Sequence, residues 1–412
     1  MSVHQIEKIE AREVLSAVGR PTVQVTVTTK SGIRATSSVP SGTSKGKYEA
    51  KELVDGGDRF RGLGVRKAVE NVNTTIARAL AGVEVVRQRE IDAAMLALDG
   101  TEDKRNLGGN AILAVSLAVA RAAARCVELP LYRYIGGLGA KRLPMPLSTI
   151  IAGGRHAASN LAFEDYMLVF SGFNVFSQAV EALMEVRYHL EKNLKKRFEY
   201  LSEKGGAFAP PIQSDDEALE LILEAVEKAG YSKKITLGLD VVGSDLFDDE
   251  KKCYNIHGKS LTAEELLAYF VNLTKTYPVT LVEDPFHEDD FESFAKLTAA
   301  VPGILIVGDD LFTTNAKRIQ KGVEMKAGNA LLLKVNQIGS LTESVDAGLL
   351  ALRNDYEVIV SVRSGDTVDD FITDLAVGIG AGYIKLGSPV RGERSAKFNR
   401  LLEIEAETAT AG

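Results

Sequence analysis

Residues 279–284 read Val-Thr-Leu-Val-Glu-Asp, and residues 304–309 read Ile-Leu-Ile-Val-Gly-Asp. Each is a short apolar run of strand length that stops at or beside a carboxylate. The pattern recurs in Ile235–Val242 around Asp240, in Ala330–Leu333 before Lys334, in Val358–Val360 before Arg363 and in Tyr383–Ile384 before Lys385. Helix-like segments separate the runs, and two of them open on capping-box signals, Ser214 with Glu217 and Thr262 with Glu265. Strand and helix in alternation imply parallel strands joined by crossover helices. The polar ends Asp240, Glu283, Asp309, Lys334, Arg363 and Lys385 are 22 to 43 residues apart, which suits successive βα units. A doubly wound sheet would not bring six consecutive strand ends to one point. A (β/α)8 barrel does, because its catalytic groups gather at the carboxy ends of the strands. The barrel is predicted over residues 143–412.

Upstream, residues 1–137 read as a small α+β domain. Val23, Val25 and Val27 alternate with Gln24, Thr26 and Thr28, and Lys30-Ser31-Gly32 offers a turn before Ile33–Val39. From Val65 to about Tyr134 the apolar spacing becomes helical, and Gly136-Gly137 close the segment. The most apolar stretch, Ala111–Ala124, is broken by Ser116 and Arg121 and reads as a buried helix too short to span a bilayer. The chain has 412 residues, 25% of them charged, and a net charge of −7 spread along its length, which argues against a nucleic-acid surface. The amino terminus lacks the apolar core of a signal peptide, and Cys126 and Cys253 show no pairing pattern. A cytoplasmic enzyme working on small molecules, without membrane or nucleic-acid partners, is the expectation.

Three carboxylates on successive strand ends, Asp240, Glu283 and Asp309, make an all-oxygen site that favours Mg²⁺ over zinc. Any one of them alone reads equally as a helix cap or ion-pair partner; three in register point to a metal. Lys334 and Lys385 face the same place, where a metal and a second cation would depress a lysine pKa and make a general base. Either lysine alone also fits a stem that snorkels to solvent. Arg363-Ser364-Gly365 supplies a guanidinium and a hydroxyl for an oxyanion or phosphate. Pro40-Ser41-Gly42-Thr43-Ser44-Lys45-Gly46 reads as a lid loop or as an ordinary turn, and His156 alone as a structural histidine.

These segments together resemble the enolase family. The likeness runs from Ile6 to about Ala406 and includes Val39-Pro40-Ser41-Gly42, Leu107-Gly108-Gly109-Asn110-Ala111, Val282-Glu283-Asp284-Pro285, Gly308-Asp309-Asp310-Leu311-Phe312, Lys334-Val335-Asn336-Gln337-Ile338-Gly339 and Glu393-Arg394-Ser395-Ala396-Lys397. The resemblance implies an enolase-type barrel with an amino-terminal capping domain, and a homodimer or larger oligomer. It implies Asp240, Glu283 and Asp309 as Mg²⁺ ligands, Lys334 as the base for the α-proton, and Lys385 with the metal on the substrate carboxylate. Arg363 and Ser364 then match the phosphate clamp, Ser44 the lid serine, and His156 the lid-side histidine.

Other positions depart from the family pattern. Its Gly-Asp-Glu-Gly-Gly-Phe-Ala-Pro carries an acid where this chain has Gly205 or Lys204, depending on the anchor, within Glu203-Lys204-Gly205-Gly206-Ala207. A second glutamate becomes Asp165, following Glu164, and an active-site histidine becomes Val362. Loss of a positioned acid costs about 10²–10⁴-fold in rate, so weak hydration is expected. Lys45, Arg155 and Arg20 add cations where the family has neutral groups, facing either solvent or a second anionic group. The leading expectation is therefore a repurposed enzyme that acts on phosphoenolpyruvate or a close relative with a phosphonate co-substrate, as in carboxyphosphonoenolpyruvate synthase. Ordinary phosphopyruvate hydratase, with Asp165, Glu164 or Glu203 replacing the acid, is the alternative. A non-catalytic binding protein of the same fold is the third.

Overall fold

The computed structural model describes residues 3–42, 46–140, 142–154, 161–199, 201–212 and 214–410. Three antiparallel strands open the chain: β1 (Ile6–Leu15), β2 (Pro21–Thr29) and β3 (Arg34–Ser38), in the order β1-β2-β3. Val23, Val25 and Val27 are buried on one face, as their alternation requires. Helix α1 (Gly109–Cys126) lies across β2 and β3. By length and composition it is apolar enough to cross a membrane, yet 89% of it is buried inside the protein. The second face of α1 explains this, because Ser116 Oγ accepts the Leu341 N–H at 3.0 Å from the other half of the molecule.

That other half is a closed barrel of eight strands: β4 (Met145–Ala152), β5 (Asp165–Val169), β6 (Thr236–Asp240), β7 (Val279–Glu283), β8 (Leu305–Gly308), β9 (Ala330–Leu333), β10 (Glu357–Ser361) and β11 (Tyr383–Lys385), with β11 pairing back onto β4. Side chains alternate across the wall. Leu147, Met167, Val169, Leu281, Val307, Ala330, Leu332 and Ile359 fill the interior as a cluster of their own. Leu331, Leu333, Val358 and Val360 join the outer core. Burial on both faces is why these strands read as unbroken apolar runs. Ser214 caps the helix Asp215–Lys228, and Thr262 with Glu265 forms a complete capping box on Ala263–Thr276, as expected.

One strand departs from the all-parallel expectation. β5 runs antiparallel to both β4 and β6. No helix separates β4 from β5 among the described residues, so the chain turns back on itself, whereas a parallel neighbour needs a crossover. Two helices, α2 (Phe176–Arg197) and α3 (Asp215–Lys228), then carry it from β5 to β6. The reversal places the start of β5, rather than its end, at the mouth where the other strands terminate: Asp165 pairs with Asp240.

Candidate active site

The mouth collects the charged strand ends. Lys385 Nζ donates to Asp240 Oδ2 at 2.7 Å and to Glu283 Oε2 at 2.8 Å, and lies 3.4 Å from Asp165 Oδ2. Lys334 donates to Asp309 Oδ2, while Gln337 Nε2 holds the other oxygen at 2.7 Å. Arg363 forks onto Glu49 at 2.9 and 3.2 Å and donates to Asn336 Oδ1 at 3.2 Å. Residues from seven of the eight strand ends thus meet in one buried patch, with Ser364 exposed beside Arg363.

Among the protein's own groups the carboxylates set the lysine pKa values. Burial would lower the Lys385 pKa, but Asp240, Glu283 and Asp165 around it win and hold it well above the ordinary lysine range. For Lys334 burial is the largest influence and lowers the pKa, as do Arg363 and Lys385, but Asp309 and Glu283 acting against them leave it raised. Burial opposes ionisation of Asp309, but the charge and hydrogen bond of Lys334, with Arg363 and Lys385, together hold its pKa below the ordinary value. Glu283, buried beside Asp240, is driven well above the carboxylate range despite Lys385. Its Oε1 is buried with no hydrogen-bond partner among the described residues. A desolvated carboxylate oxygen without a donor is costly, and a hard cation is the partner its chemistry suits.

Asp284, Asp309 and Asp310 form a second carboxylate group, with oxygens within 4.8 Å of one another. Asp284 has a structural task there: its oxygens accept the Asp309 and Asp310 N–H groups at 3.0 and 2.6 Å. That clamp fixes the turn after β8 and aims Asp309 inward.

The rim opposite Lys334 is built differently. The Glu164 N–H donates to the Asp240 carbonyl at 2.9 Å, and its carboxylate lies 3.8 Å from Lys204 Nζ. Burial, with Asp240 and Asp165 adding to it, pushes Glu164 up to about 7. Lys204 stands in a hairpin that pairs Glu203 with Phe208 and Lys204 with Ala207. Its turn is Gly205-Gly206, at φ 59° and 88°, the signature of a tight two-residue hairpin turn. Gly205 therefore cannot stand in the acid's place, and Lys204 is the residue presented beside Glu164. Glu203 faces away onto Arg187 at 2.5 Å, which removes it as a substitute acid. Val362 lies between β10 and Arg363, its N–H on the Lys385 carbonyl.

The lid loop is tethered at both described ends. Ser41 N–H donates to the Gly365 carbonyl at 2.8 Å, and the Gly46 N–H to Glu49 Oε1 at 3.0 Å. Between them Thr43, Ser44 and Lys45 lie outside the described residues, as do Arg155 and His156. Glu49, Gln337 and Asp284 escaped the sequence reading. Glu49 carried no local signal, since its partner is 314 residues away; Gln337 and Asp284 stood inside quoted motifs without a role.

Family models for the enolase amino-terminal domain and the enolase carboxy-terminal TIM barrel domain match residues 6–135 and 140–412. Curated relatives match along the whole length. The chain is 49% identical to the enolase of Methanopyrus kandleri, over 99% of this chain and 97% of that protein. It is 50% identical to the enolases of Pyrococcus furiosus and Methanocaldococcus jannaschii, over 98% of this chain and 95% of each relative. These relatives overturn the expectation of a repurposed, carboxyphosphonoenolpyruvate-synthase-like transferase. They favour the alternative reading stated above.

Proposed function

Because the chain belongs to the enolase family, we propose that it is a phosphopyruvate hydratase, interconverting 2-phosphoglycerate with phosphoenolpyruvate and water. The observation that carries this reading is the meeting of Lys334, Lys385 and the Asp240–Glu283–Asp309 carboxylates at one mouth. The unpartnered Glu283 oxygen and the all-oxygen donor set fit Mg²⁺, held by Asp240, Glu283 and Asp309. Bound there, the ion would supply positive charge against the substrate carboxylate.

The protein's own groups then divide the work. Lys334 takes the α-proton; Gln337 keeps Asp309 in place beside it. Lys385, fixed by three carboxylates, offers an ammonium to the substrate carboxylate. Arg363, held in plane by Glu49, meets the phosphate together with Ser364. Glu164 and Asp165 face the β-carbon side, opposite the base.

Conversion of 2-phosphoglycerate, followed by ultraviolet absorbance with Mg²⁺ present, tests the proposal. Turnover of about 1–10³ s⁻¹ is expected, lost on chelation and restored by added Mg²⁺. Purified protein that binds phosphoenolpyruvate but turns over neither substrate would overturn it.

A further inference from the structure

We propose that Lys204 is a catalytic residue, the group that delivers a proton to the departing β-hydroxyl. This rests on the dehydration reading above. Elimination leaves hydroxide on the side opposite the base, where a positive charge stabilises it and a negative charge repels it. Glu164, Asp165 and Lys204 lie on that rim, with Lys385 reaching Asp165 from the neighbouring frame. Asp165 is engaged by Lys385 at 3.4 Å, and Glu203 is turned onto Arg187. Lys204 is the cation of this set. Its Nζ sits 3.8 Å from Glu164, whose backbone is bonded to the end of β6. The hairpin register, fixed by the Gly205-Gly206 turn, holds it there. Burial lowers its pKa, with Glu164 and Asp165 opposing, which eases release of a proton. Its side chain is 33% exposed, so the amine left behind regains a proton from solvent. Glu164 acts through Lys204 as a positioning residue.

The step balances. Lys334 takes the proton from C2, and that C–H electron pair becomes the C2–C3 double bond. The C3–O pair leaves with oxygen, and a proton from Lys204 completes a water molecule. Lys204 is reprotonated by solvent and Lys334 returns its proton, so the sum is loss of water.

The test compares two readouts in Lys204→Gln and Lys204→Arg: phosphoenolpyruvate formation, and exchange of the α-hydrogen of 2-phosphoglycerate with deuterated solvent. Exchange needs only the base side. Formation should fall about 10²–10⁴-fold in both variants, while exchange stays close to the wild-type rate. The arginine variant keeps the charge but is a poor proton donor, and retains the cation if the glutamine variant fails to fold. Full formation in either variant, or exchange and formation falling together, would overturn the proposal for Lys204 alone. Wild-type protein that neither exchanges nor dehydrates would overturn the hydratase reading as well.

Discussion

The two sides of the barrel mouth are built from different material. On one side, parallel strands β6 to β11 end in Asp240, Glu283, Asp309, Lys334, Arg363 and Lys385, and nearly every charge there has a short, buried partner. On the other, the start of an antiparallel strand and a two-stranded hairpin present Glu164, Asp165 and Lys204, joined by longer and more exposed contacts. The first side is a closely paired frame of buried and half-buried charges. The second is a rim whose chemistry changes with one or two residues at little cost to the fold. The departures from the family pattern noted above fall on both sides, Val362 beside Arg363 on the first and Asp165 and the Lys204-Gly205 hairpin on the second.

The largest predicted effect lies on the first side. Lys334→Ala should lower α-hydrogen exchange and phosphoenolpyruvate formation together, by about 10⁴-fold, the upper end of what a positioned base contributes. Exchange surviving in that variant would move the base elsewhere. Next comes Glu49→Gln, which leaves the buried Arg363 guanidinium without its charge partner. A loss of about 3–5 kcal/mol in denaturant unfolding is expected, with weaker substrate binding; unchanged stability would mean Arg363 finds another partner. Gly365→Ala should be milder. An added methyl there meets the Ser41 carbonyl and displaces the lid's anchor, costing roughly 1–3 kcal/mol and raising KM more than it lowers kcat. The smallest effect belongs to Glu203→Gln, which breaks a partly exposed pair with Arg187. Stability should change by less than about 1 kcal/mol and turnover not at all; a large drop in turnover would return Glu203 to the candidates for the acid.

The same asymmetry governs what could be read before the structure. Asp240, Glu283 and Asp309 were legible because a parallel barrel strand announces itself as an apolar run and ends at the mouth. Asp165 was legible only through family resemblance, since in an antiparallel strand the mouth lies at the beginning of the run. Lys204 looked like the loss of an acid, because a sequence alignment does not show that the Gly205-Gly206 turn presents the lysine to Glu164. Glu49 was invisible, being tied to Arg363 across 314 residues of chain. The pull of the protein's own carboxylates on the two lysines was equally hidden. Local sequence shows which cations lie near one another, but the carboxylates that outweigh them come from other strands.

One experiment probes both sides at once in the unmodified protein. With 2-phosphoglycerate and Mg²⁺ in deuterated solvent, α-hydrogen exchange and phosphoenolpyruvate formation are followed on the same sample. Working frame and working rim together predict both, with exchange at least as fast as product formation. Exchange without product would contradict the account, leaving a chain whose base side works and whose altered rim cannot release water.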